Sequence, residues 1–115
     1  MRSLIAVCSL LFLAGVGILA GTRAFPATAH RSGAAIYKQR CAACHGARGK
    51  GAPGLKAPDF TDPEWQASTT DKAMTDIITL GKKDSPMPAF NNILREEEIG
   101  AVVTYVRSLN RRKKK

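Results

Sequence analysis

Cys41-Ala42-Ala43-Cys44-His45 is the stretch on which the reading of this 115-residue chain turns. It has the form C-x-x-C-H, the attachment site of a c-type haem. Two thiols at this spacing can add to the two vinyl groups of one porphyrin as thioethers. The histidine that follows is then placed beneath the iron as an axial ligand. Order and spacing together specify one covalently attached haem c, held through Cys41 and Cys44.

Other uses of the same residues fit less well. A zinc site wants about four ligands, usually as two paired clusters. The chain has three cysteines and two histidines, and Cys8 and His30 lie in or beside an N-terminal segment expected to be removed. A thioredoxin-like dithiol belongs beside a βαβ pattern, and no β-branched runs flank Cys41. A disulfide across Cys41 and Cys44 would explain neither His45 nor the export signal.

That signal is the apolar run from Leu4 to Ala20, preceded by Met1 and Arg2. It is a basic n-region followed by an h-region slightly longer than the usual ~7–15 residues. Ala27-Thr28-Ala29 fits an A-x-A cleavage site, and Thr22-Arg23-Ala24 is a less typical alternative. A membrane anchor would want ~20 apolar residues, and Gly21, Thr22 and Arg23 interrupt this run. Residues 1–29 are therefore expected to be a signal peptide, with a membrane anchor as the alternative, and the protein is expected in the periplasm.

Residues 30–110 are then expected to form one domain, followed by a basic tail over 111–115. A domain this small rarely builds enough core alone and usually carries a staple. Haem, a large apolar disc, would serve as one. The chain holds 18 Lys and Arg against 9 Asp and Glu, a formal net charge of +9. Such a balance suits nucleic acid, an anionic membrane or an acidic protein partner, and nucleic acid is set aside for an exported haem protein. The tail Arg111-Arg112-Lys113-Lys114-Lys115 is either a docking element or a solvated helix end whose cations suit the C-terminal dipole.

Helical signals punctuate the rest. Ser32 is the expected cap of a helix over about 33–43, with Gly33, Ile36, Tyr37 and Arg40 on one face. Gly33 is a poor helix former, which points to close approach of another backbone. From His45 to Pro58 the glycines and prolines dictate a loop. Asp62-Pro63-Glu64-Trp65 carries a cap with proline at the first helical position. Thr70 opens a helix with Met74, Ile77 and Ile78 on one face, closed by Gly81. Lys82 to Asn92 is a loop. The last helix runs over about 95–110 with an apolar stripe of Ile99, Val102, Val103, Val106 and Leu109. Glu96, Glu97 and Glu98 favour its first turn, although Arg95 is an unhelpful cap. No strand pattern is present, so the fold class is all-α.

A six-coordinate iron needs a ligand opposite His45, and His30 lies at the signal junction. Met74 sits on the apolar face of a helix, where methionine is ordinary core filler. Met87 sits in Ser85-Pro86-Met87-Pro88-Ala89-Phe90, a loop stiffened on both sides by proline. A soft thioether on a rigid loop suits a Met/His iron site, so Met87 is the expected second ligand.

With these residues in view, the chain resembles the class I cytochrome c family, most of all the small bacterial single-haem cytochromes and cytochrome-type subunits. The resemblance is carried by C-A-A-C-H at 41–45, G-A-R-G-K-G at 46–51, P-D-F-T-D-P-E-W at 58–65, M-P-A-F at 87–90 and I-G-A-V-V-T-Y-V-R-S-L at 99–109. It implies about three to five short helices around one haem. It implies His45 and Met87 as iron ligands, and crossing of the first and last helices, with Gly33 and Tyr37 meeting Val102 and Tyr105. It also implies a proline carbonyl, from Pro53 or Pro58, accepting the His45 Nδ1–H. Trp65 either packs in the core or covers the haem edge.

The expected function is one-electron transfer by Fe(III)/Fe(II) cycling in a monomer that is not an enzyme. Lys82 and Lys83 would steer an acidic redox partner, or form a solvated loop. Membrane contact would run through the N-terminal anchor or the basic tail. The alternatives are a cytochrome subunit docked on a dehydrogenase, oxidase or sulfur-oxidising complex, and an enzyme or gas sensor with an open iron position. The last would require Met87 to be displaced, and no motif supplies acid–base groups.

Overall fold

The computed structural model describes residues 29–111. The segment expected to be a signal peptide or anchor and the basic tail lie outside the described residues, apart from Ala29 and Arg111. Among the described residues there is no strand, and no helix is long and apolar enough to cross a membrane.

Helix formation begins at Ser32, whose Oγ accepts a hydrogen bond from the Ala35 N–H at 3.2 Å. This satisfies one of the donors that a helix start leaves orphaned. α1 (Gly33–Ile36) passes into a π-helical turn over Tyr37–Cys41 and then α2 (Ala42–His45). The sequence predicts one helix ending near residue 43; the helical stretch instead reaches His45 through a wider turn. A π turn inserts one residue into the hydrogen-bond ladder and shifts the phase of everything after it. The buried face of α1 and the C-x-x-C-H residues are thereby freed to look at different neighbours.

α3 (Pro63–Ser68) starts as predicted, with the Asp62 carboxylate accepting from the N–H groups of Glu64 and Trp65. α4 (Asp71–Leu80) is capped by Thr70 Oγ1, which accepts from Ala73 N–H at 3.1 Å. α5 (Glu96–Arg111) solves the problem of its poor cap from within. Glu98 reaches back to accept from the Arg95 N–H at 3.0 Å, half of a capping box. Its other oxygen accepts from Arg31 Nε at 2.9 Å, so the carboxylate ties the chain before α1 to the start of α5.

The crossing of α1 and α5 organises the core. A Cβ added at Gly33 would lie 2.0 Å from the carbonyl oxygen of Ala101, so only glycine permits the two backbones to approach this closely. The predicted stripe of α5 is buried throughout. It packs with Ile36 and Tyr37 of the first helical stretch and with Phe60, Met74, Phe90 and Leu94. Tyr37 and Tyr105 meet with ring centroids 5.0 Å apart, as the family resemblance implies.

A polar strut links α5 to the loop behind the motif. Arg107 donates from Nε to Asp71 at 2.7 Å and from Nη1 to the Gln66 carbonyl at 2.6 Å. Its Nη2 caps the end of α3 through the Thr69 carbonyl. Buried Gln66 in turn donates to the carbonyls of Phe60 at 2.7 Å and Val106 at 2.9 Å. Phe60 is therefore fixed from the α5 side by hydrogen bonds that satisfy buried backbone oxygens.

Candidate functional site

The C-x-x-C-H residues are held by the loop that follows them. Gly51 N–H donates to the His45 carbonyl at 2.8 Å and Ala52 N–H to the Cys44 carbonyl at 3.0 Å. Tyr37 Oη donates to the Gly46 carbonyl at 2.8 Å. Burial raises the Tyr37 phenol pKa, with further contributions from Cys41 and Tyr105, so it stays protonated as the donor this bond needs.

The His45 imidazole lies against Phe60, ring centroids 4.7 Å apart and planes inclined by 20°. Phe60 is positioned by its own N–H, which donates to the Gly49 carbonyl at 2.7 Å, and by Trp65 on its other side at 4.8 Å. Trp65 packs in the core and lines no part of the cavity described next. His45 Nδ1 is buried with no hydrogen-bond partner, so neither Pro53 nor Pro58 supplies the carbonyl that the resemblance implies. The ring's recorded contact is the stack on Phe60.

A cavity of about 430 Å³ brings the predicted site residues together. Cys41, Cys44 and His45 line it, and so do Met87, Pro88 and Phe90 from the other loop. Met74 is buried in the core and does not line the cavity, as its place on an apolar helix face suggests. Both cysteines are free thiols. Burial and the neighbouring Cys44 push the Cys41 thiol up to about 11, which keeps it neutral. It is therefore poorly suited to bind a metal as thiolate.

These residues fit haem. Burial lowers the His45 pKa, leaving a neutral imidazole with a lone pair to donate. Two thiols, an imidazole and a thioether around one cavity form a donor set for a covalently tethered porphyrin.

The mouth of the cavity is cationic. Arg40, Lys56 and Lys82 line it, and Asp84 is the one acid among the lining residues. Lys83, paired with Lys82 in the sequence reading, is exposed but lines no part of it. Arg40 is predicted only as part of the first helix's face, yet it is exposed while Gly33, Ile36 and Tyr37 are buried; Lys56 comes from a separate segment, and no local pattern joins the two. Phe60 was likewise missed as a support for His45. Only its place in the P-D-F-T segment could have pointed to it.

Comparison with known proteins agrees with this geometry. The family described as cytochrome c oxidase, cbb3-type, subunit III matches residues 28–106. The cbb3-type cytochrome c oxidase subunit FixP of Bradyrhizobium sp. (strain ORS 278) is 37% identical over 78 residues, covering 68% of this chain and 27% of the relative. The subunit CcoP of Cereibacter sphaeroides is 36% identical over 77 residues, covering 67% and 26%. The chain thus spans about a quarter of the length of these relatives. Among solved structures, the KustC0563 c-type cytochrome superposes with a TM-score of 0.65 at 36% identity, covering 69% of this chain and 98% of that one. Cytochrome c6C from Synechococcus sp. PCC 7002 gives 0.54 at 28% identity, covering 69% and 95%. The chain belongs to the cbb3-type subunit III family of cytochrome c domains, a class I c-type cytochrome whose cofactor is haem c.

Proposed function

We propose that this chain is an electron-transfer domain in which Cys41 and Cys44 hold haem c as thioethers and His45 and Met87 take the two axial positions. The observation that carries this is the meeting of His45 and Met87, far apart in sequence, on one cavity that excludes Met74. When bound, the haem supplies a one-electron Fe(III)/Fe(II) couple whose potential methionine ligation raises.

The chain's own residues have separable tasks. Phe60 orients the His45 ring from behind. Pro88 and Phe90 keep water from the far wall. Arg40, Lys56 and Lys82 give the mouth a positive field that would draw an acidic redox partner and speed its encounter. With both axial positions committed, no place is left for a substrate, so the domain carries electrons rather than transforming a molecule. Its place of work is the periplasm, where the N-terminal run would put it.

A second reading is favoured by the relatives, which are named as subunits of cbb3-type oxidases. In it the domain is docked on a terminal oxidase, at a membrane, and passes electrons within the complex. Exposed Leu80 and Ile93 suit such an interface, whereas the cationic mouth suits a mobile carrier. Exposure of the ferrous holoprotein to carbon monoxide tests the closed iron common to both. An unchanged spectrum is expected, and ready carbon monoxide binding would point to an open-site enzyme or sensor.

A further inference from the structure

Of the four residues assigned to the haem, Met87 alone is carried by a loop rather than a helical stretch, so whatever holds it must lie in that loop. Both of its backbone polar groups are engaged locally. Its N–H donates to Ser85 Oγ at 3.1 Å, and its carbonyl accepts from the Lys82 N–H at 3.2 Å. Pro86 and Pro88 fix φ on either side.

The loop closes on Gly81. This residue has φ +77°, and a Cβ added there would lie 2.9 Å from Ala89 N, 3.0 Å from the Pro88 carbonyl carbon and 3.1 Å from the Met87 oxygen. The returning strand of the loop therefore rests directly on the end of α4. Beyond it, Phe90 N–H donates to the Ile78 carbonyl at 2.9 Å, anchoring the far end to the same helix. Asp84 has φ +57° and is the only non-glycine with positive φ among the described residues. L-residues avoid this conformation, and here it lies immediately before Ser85, in the turn that brings Ser85 Oγ to the Met87 N–H.

We propose that Ser85 and Gly81 are positioning residues for Met87, clasping its loop so that the side chain stays against the cavity in both oxidation states. This rests on Met87 being an axial ligand. A thioether binds ferric iron less well than ferrous iron, so opening of the loop competes with ligation mainly in the ferric state. A loop closed in advance has little freedom left to lose on ligation. An external ligand binds only the fraction of molecules in which Met87 has left, and its apparent affinity scales with that fraction.

The test is titration of imidazole into the ferric holoprotein, followed by visible absorption. Ser85→Ala removes one hydrogen bond and is expected to tighten apparent imidazole binding about fivefold. Ser85→Thr keeps the hydroxyl and should restore the native value. Gly81→Ala pushes the loop off the end of α4 and is expected to tighten binding by about tenfold or more. Met87→Ala should bind imidazole most tightly of all. Native affinity in Ser85→Ala and Gly81→Ala, with tight binding in Met87→Ala, would overturn the clasp and leave the ligand assignment standing. Native affinity in Met87→Ala as well would overturn the ligand assignment itself.

Discussion

The His45 ring is held by Phe60 in a stack with centroids 4.7 Å apart, and no protein hydrogen bond fixes its buried Nδ1. The His45 imidazole thus rests on an apolar support, and Gln66 and Arg107 reach in towards that support from α3 and α5.

Phe60→Ala is expected to destabilise the holoprotein by roughly 3–5 kcal/mol through the cavity it leaves. Phe60→Leu, which refills most of the volume, should cost less than half of that. Thermal unfolding monitored by helical circular dichroism measures both. The potential should also move more in the alanine variant, because only there does the imidazole lose its backing. A potential that stays native in the alanine variant would mean that Phe60 is mere filler.

Two glycines in helices give opposite expectations. Gly33→Ala drives a methyl group into the Ala101 carbonyl at the α1–α5 crossing and should cost about 2 kcal/mol or more from overpacking. A Cβ at Gly100 meets nothing within 4 Å, so Gly100→Ala should stabilise α5 by roughly 0.5–1 kcal/mol. Denaturant midpoints of the two variants, compared with the native protein at constant slope, check the contrast.

Acid should undo one specific tie. The hydrogen bond from Arg31, then that from the Arg95 backbone, holds the Glu98 carboxyl down to about 2. A carboxylate whose folded pKa is depressed contributes stability above its unfolded value and loses it as pH falls through the folded one. The contribution of Glu98 should be complete above about pH 4.5 and fade between there and about pH 2. Glu98→Gln should therefore melt below the native protein at pH 7, with the gap shrinking towards pH 2. A gap that stays constant across this range would remove ionisation from the account.

Much of this was legible in sequence because it is local. C-x-x-C-H specifies its cofactor through spacing alone, and Ser32, Asp62 and Thr70 announce helix starts through side chains that reach only a few residues ahead. The α5 stripe and the crossing glycine were equally plain, since periodicity and a misplaced Gly33 both register within one helix. What escaped was either long-range or a matter of backbone phase. The π turn over Tyr37–Cys41 has no compositional signature. The Arg107–Gln66–Phe60 strut joins three segments that no period connects. Arg31, which donates to the other oxygen of the Glu98 carboxylate, is brought beside it by the fold. The support of His45 followed the same rule: the implied proline bond gave way to an aromatic stack that depends on tertiary packing.

Met87, rather than Met74, is the proposed partner of His45 on the iron, and spectra with potentials separate the two. The ferric and ferrous spectra and the midpoint potential of the holoprotein would be recorded for Met87→Ala and Met74→Leu. Met87→Ala should lose the methionine-to-ferric-iron charge-transfer band and the low-spin ferric spectrum, and its potential should fall by on the order of 0.1 V or more. Met74→Leu, a change of similar volume in the core, should keep the native spectrum. A Met87→Ala protein with native spectrum and potential, beside a Met74→Leu protein that has lost both, would contradict that assignment.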